Sequence, residues 1–200
     1  MERRAGAGGG AGVDGGPWAG KNGGMKYTAN YCEENIWHLA GESGLLDGPR
    51  YVVLLTSPAK STPVFKQKAA PGEDEPCFWD YHVILAVKAS QGSVVYDFDT
   101  TLPFPCPLER YVKESFYPGR KLPFNYQPRF RVVTADEYRK GFASDRSHMK
   151  RPDGSWRSPP PDWPLINPSP ASLPLHKALD LRVPSPGELL DVEGLLKKLS

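Results

Sequence analysis

The stretch that decides the fold runs from Cys77 to Asp99 and reads CFWDYHVILAVKASQGSVVYDFD. Residues 77–87 are rich in aromatic and β-branched side chains, which predicts a strand. The polar residues 89–92 predict a turn, and residues 93–99 repeat the strand pattern. These features together predict a β-hairpin.

The hairpin brings a histidine next to a carboxylate, because side chains alternate between the two faces of a strand. A four-residue loop would pair Lys88 with Ser93, which sets His82 opposite Asp99 and diagonal to Asp97. A two-residue loop would set His82 opposite Asp97. Either register predicts a His–carboxylate pair, and the pattern alone leaves both aspartates open.

The rest of the chain predicts a few helices around a mainly antiparallel sheet, which is an α+β fold. Other segments carry clear strand or helix patterns. They are strands at 51–56, 64–66 and 130–133, and helices at 108–116, from Thr134 with Glu137 in a capping box, and at 189–199.

A cysteine lies at the start of a further amphipathic helix. Asn30 is the predicted N-cap, and Glu33 three residues later completes a capping box. Ile36 and Leu39 then follow at helical spacing. Cys32 would therefore lie in the first turn, where free backbone N–H groups and the helix dipole favour a thiolate.

Composition sets the domain boundaries and excludes several classes of function. Half of the 20 glycines lie in residues 1–24, which we interpret as a disordered tail before a catalytic domain at 25–165. We expect residues 166–200 to belong to the same domain, as a Pro-rich segment that wraps around it and ends in a short helix. The net charge of +2 and the absence of basic clusters or long apolar runs argue against nucleic acid and membranes as partners. We expect a monomer.

A thiol, an imidazole and a carboxylate together are what thiol-based acyl transfer needs. Simpler interpretations compete with this one. Free cysteines are often buried hydrophobes, as we expect for Cys77 and Cys106, and aspartates before a turn often cap it. The cysteines lack the paired spacing of a zinc site. The polar segment 141–149 is interpreted as a loop that orders the site or binds substrate.

Five longer strings carry a resemblance to a known family. They are YCEENIW at 31–37, WDYHV at 79–83, YDFDT at 96–100, LPFPC at 102–106 and FASDRSHM at 142–149. In this order they resemble the eukaryotic protein N-terminal glutamine amidohydrolases. The resemblance extends from Tyr31 to the Pro-rich stretch near Pro164 and weakly beyond it.

The resemblance implies an enzyme that hydrolyses the side-chain amide of an N-terminal glutamine to give glutamate and ammonia. It implies a triad of Cys32, His82 and Asp97, and an α-β-α sandwich similar to papain-like and transglutaminase-like thiol enzymes. It implies no cofactor and no metal. It also implies a place in the arginine N-degron pathway, in cytoplasm and nucleus.

Specificity for a terminal residue requires a group that binds the α-ammonium, for which a carboxylate is the natural partner. Asp80 and Glu33 are the candidates. Asp80 should share the strand face of His82, whereas Glu33 has the competing role of capping its helix. Trp79 and Tyr31 are candidates for the wall of a narrow pocket. The rival functions are a module that only binds N-terminal residues, a thiol peptidase and a transglutaminase.

Overall fold

A computed structural model describes residues 24–117, 119, 121–167 and 173–200. The predicted glycine-rich tail, apart from Gly24, lies outside these residues. None of the helices in the described ranges has the length and apolar character needed to cross a bilayer.

The described residues form a mixed α/β structure. The strands are β1 Arg50–Thr56, β2 Thr62–Val64, β3 Cys77–Trp79, β4 Tyr81–Ala89, β5 Gly92–Tyr96, β6 Cys106–Pro107, β7 Arg129–Thr134, β8 Phe142–Ala143, β9 Leu173–Pro174 and β10 Glu188–Leu190. The helices are α1 Cys32–Leu39, α2 Leu108–Phe116, α3 Ala135–Gly141, α4 Leu175–Ala178 and α5 Val192–Leu199.

A six-stranded sheet in the order β10-β7-β1-β4-β5-β6 forms the centre, and every neighbouring pair in it is antiparallel. Strand alternation divides the core between its two faces. Val83 and Leu85 pack on one face with α1 and α3, while Ile84 and Ala86 pack on the other with α2 and α5. The mainly antiparallel α/β architecture is thus as predicted; the likeness to papain-like enzymes stays a prediction.

The predicted strand 77–87 is in fact two strands that belong to different sheets. The ladder breaks at Asp80, where the side-chain Oδ1 accepts the N–H of Tyr81 and the backbone carbonyl accepts the hydroxyl of Thr56. β3 turns away to pair with β2, while β4 pairs with β1. The expectation that Asp80 and His82 share one strand face was therefore wrong.

The hairpin of β4 and β5 has one of the two predicted registers. Lys88 pairs with Ser93, and the ladder ends at the pair Leu85–Tyr96. The chain leaves the strand after Tyr96, three residues short of the position opposite His82. This departure lets the Asp97 side chain turn towards the histidine.

The capping box predicted at Asn30 is also wrong. Tyr31 is the residue before α1, and no side chain caps it. Asn30 has a left-handed backbone with φ of 68° and donates to the Ser158 hydroxyl instead. Glu33 points into the interior, where it is fully buried.

Several predicted elements are confirmed and two are displaced. The helix 108–116 and the capping box of Thr134 with Glu137 are present. The strand expected at 64–66 lies two residues earlier, as β2. The helix expected at 189–199 begins only at Val192, because the residues before it pair with β7 as β10.

Candidate active site

A histidine and an aspartate meet at the end of the central hairpin. Nε2 of His82 lies 2.8 Å from Oδ1 of Asp97, and both side chains are 1% exposed or less. Of the two aspartates that the pattern left open, Asp97 is the one hydrogen-bonded to the histidine. Asp99 accepts the hydroxyl of Tyr27 at 3.1 Å instead.

Four donors hold the Asp97 carboxylate. Oδ1 also accepts the backbone N–H of Asp99 at 2.9 Å, and Oδ2 accepts Gln67 Nε2 at 3.1 Å and the Tyr111 hydroxyl at 2.8 Å. Burial alone would raise the pKa of Asp97, but the charge of His82 and these hydrogen bonds lower it. Asp97 is thereby fixed as an anion facing the imidazole.

The imidazole of His82 is in contact through its face as well as through the hydrogen bond at its edge. Trp79 stacks on His82 with ring centroids 5.0 Å apart and planes 11° apart. The indole N–H donates to Gln67, which also binds Asp97, so ring and carboxylate share one support. Burial alone would lower the pKa of His82, but Asp97 raises it.

The bond to Asp97 leaves the other ring nitrogen as a base. If Nε2 carries the proton donated to Asp97, Nδ1 has a free lone pair. Nδ1 of His82 is buried and has no hydrogen-bond partner among the described residues. A buried nitrogen without a partner is unusual and indicates a functional role.

Cys32 begins α1 and packs beside the strand that carries the histidine. Burial raises the pKa of the Cys32 thiol, and the carboxylates of Glu33 and Asp99 raise it further. A hydrogen bond from the backbone N–H of Val83, the residue after His82, opposes them but does not reverse the direction of the pKa shift. Cys32 retains 9% exposure, more than His82 or Asp97.

Glu33 lies next to the thiol in a fully buried position. Its Oε2 accepts the Tyr81 hydroxyl at 3.1 Å and lies 3.7 Å from Sγ of Cys32. Its Oε1 lies 3.3 Å from Nε2 of His148, which makes an ion pair when the histidine is protonated. No well-aligned hydrogen bond reaches Oε1 in the described part of the chain.

The remaining candidates from the sequence lie further from the chemistry. Asp80 is exposed and accepts the N–H of its neighbour Tyr81. Tyr31 is fully buried, and its hydroxyl donates to the carbonyl of Ser158 at 3.1 Å. Trp79, half-buried against His82, is the better placed of the two aromatic residues to form a pocket wall.

The polar segment 141–149 folds back onto α1. Arg146 forms a two-pronged ion pair with the buried Glu34, with both N–O distances at 2.8 Å. Ser144 and Trp163 donate to the same carboxylate. These contacts fix the position of the helix that carries Cys32.

Gln67, Tyr81 and Tyr111 also surround the site, and sequence reasoning missed them as site residues. His148 lies in segment 141–149, which was predicted to order the site or bind substrate, but no local pattern pairs it with Glu33 or pairs Gln67 with Asp97. Tyr111 is one of several apolar residues on the buried face of α2. Only the position of Tyr81 beside His82 offered a signal.

The arrangement provides a thiol, a base and an orienting acid from three separate elements. The ligand atoms of His82, Asp97 and Asp99 also lie within 4.8 Å of one another, a spacing that a cation would need. However, Nε2 of His82 and both oxygens of Asp97 are already hydrogen-bonded to protein groups. These atoms are better suited to orient the imidazole than to bind a metal ion.

Known proteins are similar to this sequence over most of its length. The model of the N-terminal glutamine amidase family matches residues 27–198. A protein N-terminal glutamine amidohydrolase from Bos taurus is 42% identical, over 78% of this chain and 77% of its own. The protein of that name from Danio rerio is 46% identical, over 70% of this chain and 71% of its own. The one from Homo sapiens is 41% identical, over 78% of this chain and 78% of its own. The chain belongs to the N-terminal glutamine amidase family.

Proposed function

We propose that this protein hydrolyses the side-chain carboxamide of an N-terminal glutamine, releasing ammonia and leaving an N-terminal glutamate. The names of the relatives support the substrate and the reaction. One structural observation supports the chemistry: Nε2 of His82 is hydrogen-bonded to Asp97, while Nδ1 has no hydrogen-bond partner in the part of the chain that the structure describes.

The first half-reaction forms a thioester. Cys32 transfers its proton to Nδ1 of His82, and the thiolate attacks Cδ of the glutamine. Backbone N–H groups at the start of α1 bind the oxyanion. The imidazolium then gives its proton to the leaving nitrogen, the C–N bond breaks, and ammonia departs.

The second half-reaction returns the enzyme to its starting state. His82 takes a proton from water, and the hydroxide attacks the thioester carbonyl. The C–S bond breaks, the thiolate regains a proton from His82, and the new γ-carboxyl group leaves the site and gives its proton to solvent. Asp97 stabilises the imidazolium in both halves.

Glu33 is the proposed partner of the substrate's α-ammonium. It is buried beside the thiol, and its Oε1 faces His148 but accepts no hydrogen bond among the described residues, so an ammonium group there would gain a charge-assisted hydrogen bond. Asp80 is the weaker candidate, because it is exposed and already bonded to Tyr81 N–H. The product begins with glutamate, which we place in the arginine N-degron pathway.

Product analysis tests this function against its rivals. Purified protein is incubated with a peptide that begins with glutamine and with one that carries glutamine at position two. We expect ammonia and a glutamate-initiated peptide from the first only. Backbone cleavage would indicate a peptidase, crosslinking to an added amine a transglutaminase, and binding without reaction a recognition module; each of these results would overturn the proposal.

A further inference from the structure

The free protein holds its nucleophile in a resting hydrogen bond. Sγ of Cys32 has Oε2 of Glu33 as its acceptor at 3.7 Å, and no hydrogen bond joins Sγ to His82 among the described residues. The base and the thiol are therefore present but not connected. Activation requires the thiol proton to change its acceptor from Glu33 to His82.

Two side chains beside Glu33 can compensate a change in its charge: Tyr81 is hydrogen-bonded to Oε2, and His148 lies 3.3 Å from Oε1. Tyr81 donates to Oε2, and the same hydroxyl lies 3.1 Å from Nε2 of His148. Burial alone would lower the pKa of His148, but the nearby Glu33 and Asp145 raise it. Oε2 of Glu33 is thus hydrogen-bonded to Tyr81, whereas Oε1 faces His148, a partly exposed side chain that becomes a cation when protonated.

We propose that the α-ammonium of the substrate binds Oε1 of Glu33 and thereby releases the Cys32 thiol, which then transfers its proton to Nδ1 of His82. This inference rests on the proposed function and extends it: the group that marks a chain terminus also switches on the nucleophile. The S–H bond breaks and an N–H bond forms on His82, whose Nε2–H remains bonded to Asp97. No further reactant is needed.

The charges around Cys32 also favour ionisation of the thiol when an ammonium group binds Glu33. Among the described residues, the titratable groups that interact with Cys32 include Glu33, Asp97, Asp99, Tyr27, Tyr81 and Tyr138, and His148 faces Glu33 from the other side. After burial, Glu33 makes the largest contribution that raises the pKa of Cys32. An ammonium group on Glu33 would cancel much of that contribution, because opposite charges in a buried site are weakly screened.

The consequence is selectivity through the rate of reaction as well as through binding. A glutamine side chain without a neighbouring α-ammonium would reach a thiol that is still bonded to Glu33. Internal glutamines would then be poor substrates even where they enter the pocket. The enzyme would thereby avoid attacking the common side-chain amides of internal glutamines.

The test follows the ionisation of Cys32 directly. The ultraviolet absorbance of the thiolate is titrated with pH in wild type, and the signal of Cys32→Ala is subtracted. The probe is a peptide that begins with norvaline, whose side chain has no carboxamide to hydrolyse. Its Nα-acetyl form is the control, and calorimetry establishes binding of the free-amine peptide.

We expect the free-amine peptide to lower the pKa of Cys32 by about one unit, or roughly tenfold more thiolate at a given pH below it. The acetylated peptide should leave the titration unchanged. Glu33→Gln should lower the pKa without any peptide, and the peptide should then add nothing. Asp80→Asn, which removes the exposed carboxylate nearby, should titrate like wild type.

An unmoved titration of wild type with bound free-amine peptide would overturn the inference, as would wild-type behaviour in Glu33→Gln. Failure of the free-amine peptide to bind would overturn it as well. Ammonia release from a glutamine peptide is measured in parallel. Release with an unmoved thiol titration rejects this inference alone, whereas absence of release rejects the proposed function.

Discussion

The two ring nitrogens of His82 have different roles. Nε2 is fixed by Asp97 at 2.8 Å, while Nδ1 has no partner in the described ranges. Fixing one nitrogen determines the tautomer and so makes the other a base. Trp79, stacked on the ring, restricts its rotation.

Asp97→Asn tests this division directly. An asparagine can fill the space, but it cannot stabilise an imidazolium and can present its amide N–H to Nε2, which favours the wrong tautomer. We expect kcat for ammonia release to fall roughly 10³- to 10⁴-fold, as for other catalytic triads. Asp99→Asn should cost much less; equal losses in the two variants would contradict the assignment of Asp97.

The buried pair also predicts a pH window for stability. The lowered pKa of Asp97 contributes stability that is lost as the pH falls through its folded value. The raised pKa of His82 contributes stability that is complete below the unfolded pKa and lost as the pH rises through the folded value. The contribution of the pair is therefore greatest between about pH 4 and pH 6.5.

Urea unfolding of wild type and His82→Gln over a range of pH measures this contribution. The difference in free energy of unfolding should be largest inside that window and smaller on both sides. Circular dichroism at each pH verifies that both proteins begin folded. A difference that does not vary with pH would contradict the charged pair.

At the scale of the element, α1 is positioned by a buried ion pair. Glu34 is fully buried, and the Arg146 side chain that holds it is 7% exposed. Sequence analysis predicted that segment 141–149 orders the site, but no sequence pattern paired Arg146 with a particular acid. Such a pairing depends on how a loop returns to a helix more than a hundred positions earlier.

Arg146→Met should destabilise the protein strongly, because it leaves the Glu34 carboxylate buried and unpaired. We expect a loss of about 3 kcal/mol in the free energy of unfolding, measured in urea. Arg110→Met removes the arginine of an exposed ion pair with Glu114 and is the matched control. Similar small losses in both variants would show that the ion pair does not hold α1.

Elements defined by local pattern were predictable, and those defined by distant partners were not. The strand run 51–56 and the Thr134 capping box depend on neighbouring residues, so the sequence predicted them. The break at Asp80 depends on the hydroxyl of Thr56 and on pairing of β3 with β2. The Asn30 cap failed because the chain adopts a left-handed turn that bonds Ser158 instead.

In the molecule as a whole, the C-terminal segment completes the central sheet on the side away from the hairpin of β4 and β5. β10 pairs with β7, and Leu195 and Leu199 of α5 are each 1% exposed. Arg131 donates to the carbonyls of Ala178 and Asp180, at 2.8 Å and 3.0 Å. The pattern predicted a helix here, but it did not predict the added strand, which forms only because an edge of the sheet is available.

Gly187 is the point at which this segment joins the sheet. Its φ is +90°, and a Cβ there would lie 2.5 Å from the carbonyl oxygen of Val132. We expect Gly187→Ala to cost about 2 kcal/mol in urea unfolding, because the backbone is strained and β10 is pushed off β7. Gly44→Ala, where a Cβ has open space, is the control; equal stability of the two variants would contradict this role.

The nucleophile that we propose for glutamine hydrolysis is Cys32. Ammonia release from a glutamine-initiated peptide by wild type, Cys32→Ala and Cys77→Ala tests this assignment, with folding verified by circular dichroism. We expect no ammonia above background from Cys32→Ala and wild-type release from Cys77→Ala. Continued release by Cys32→Ala, or its loss only in Cys77→Ala, would contradict Cys32 as the nucleophile.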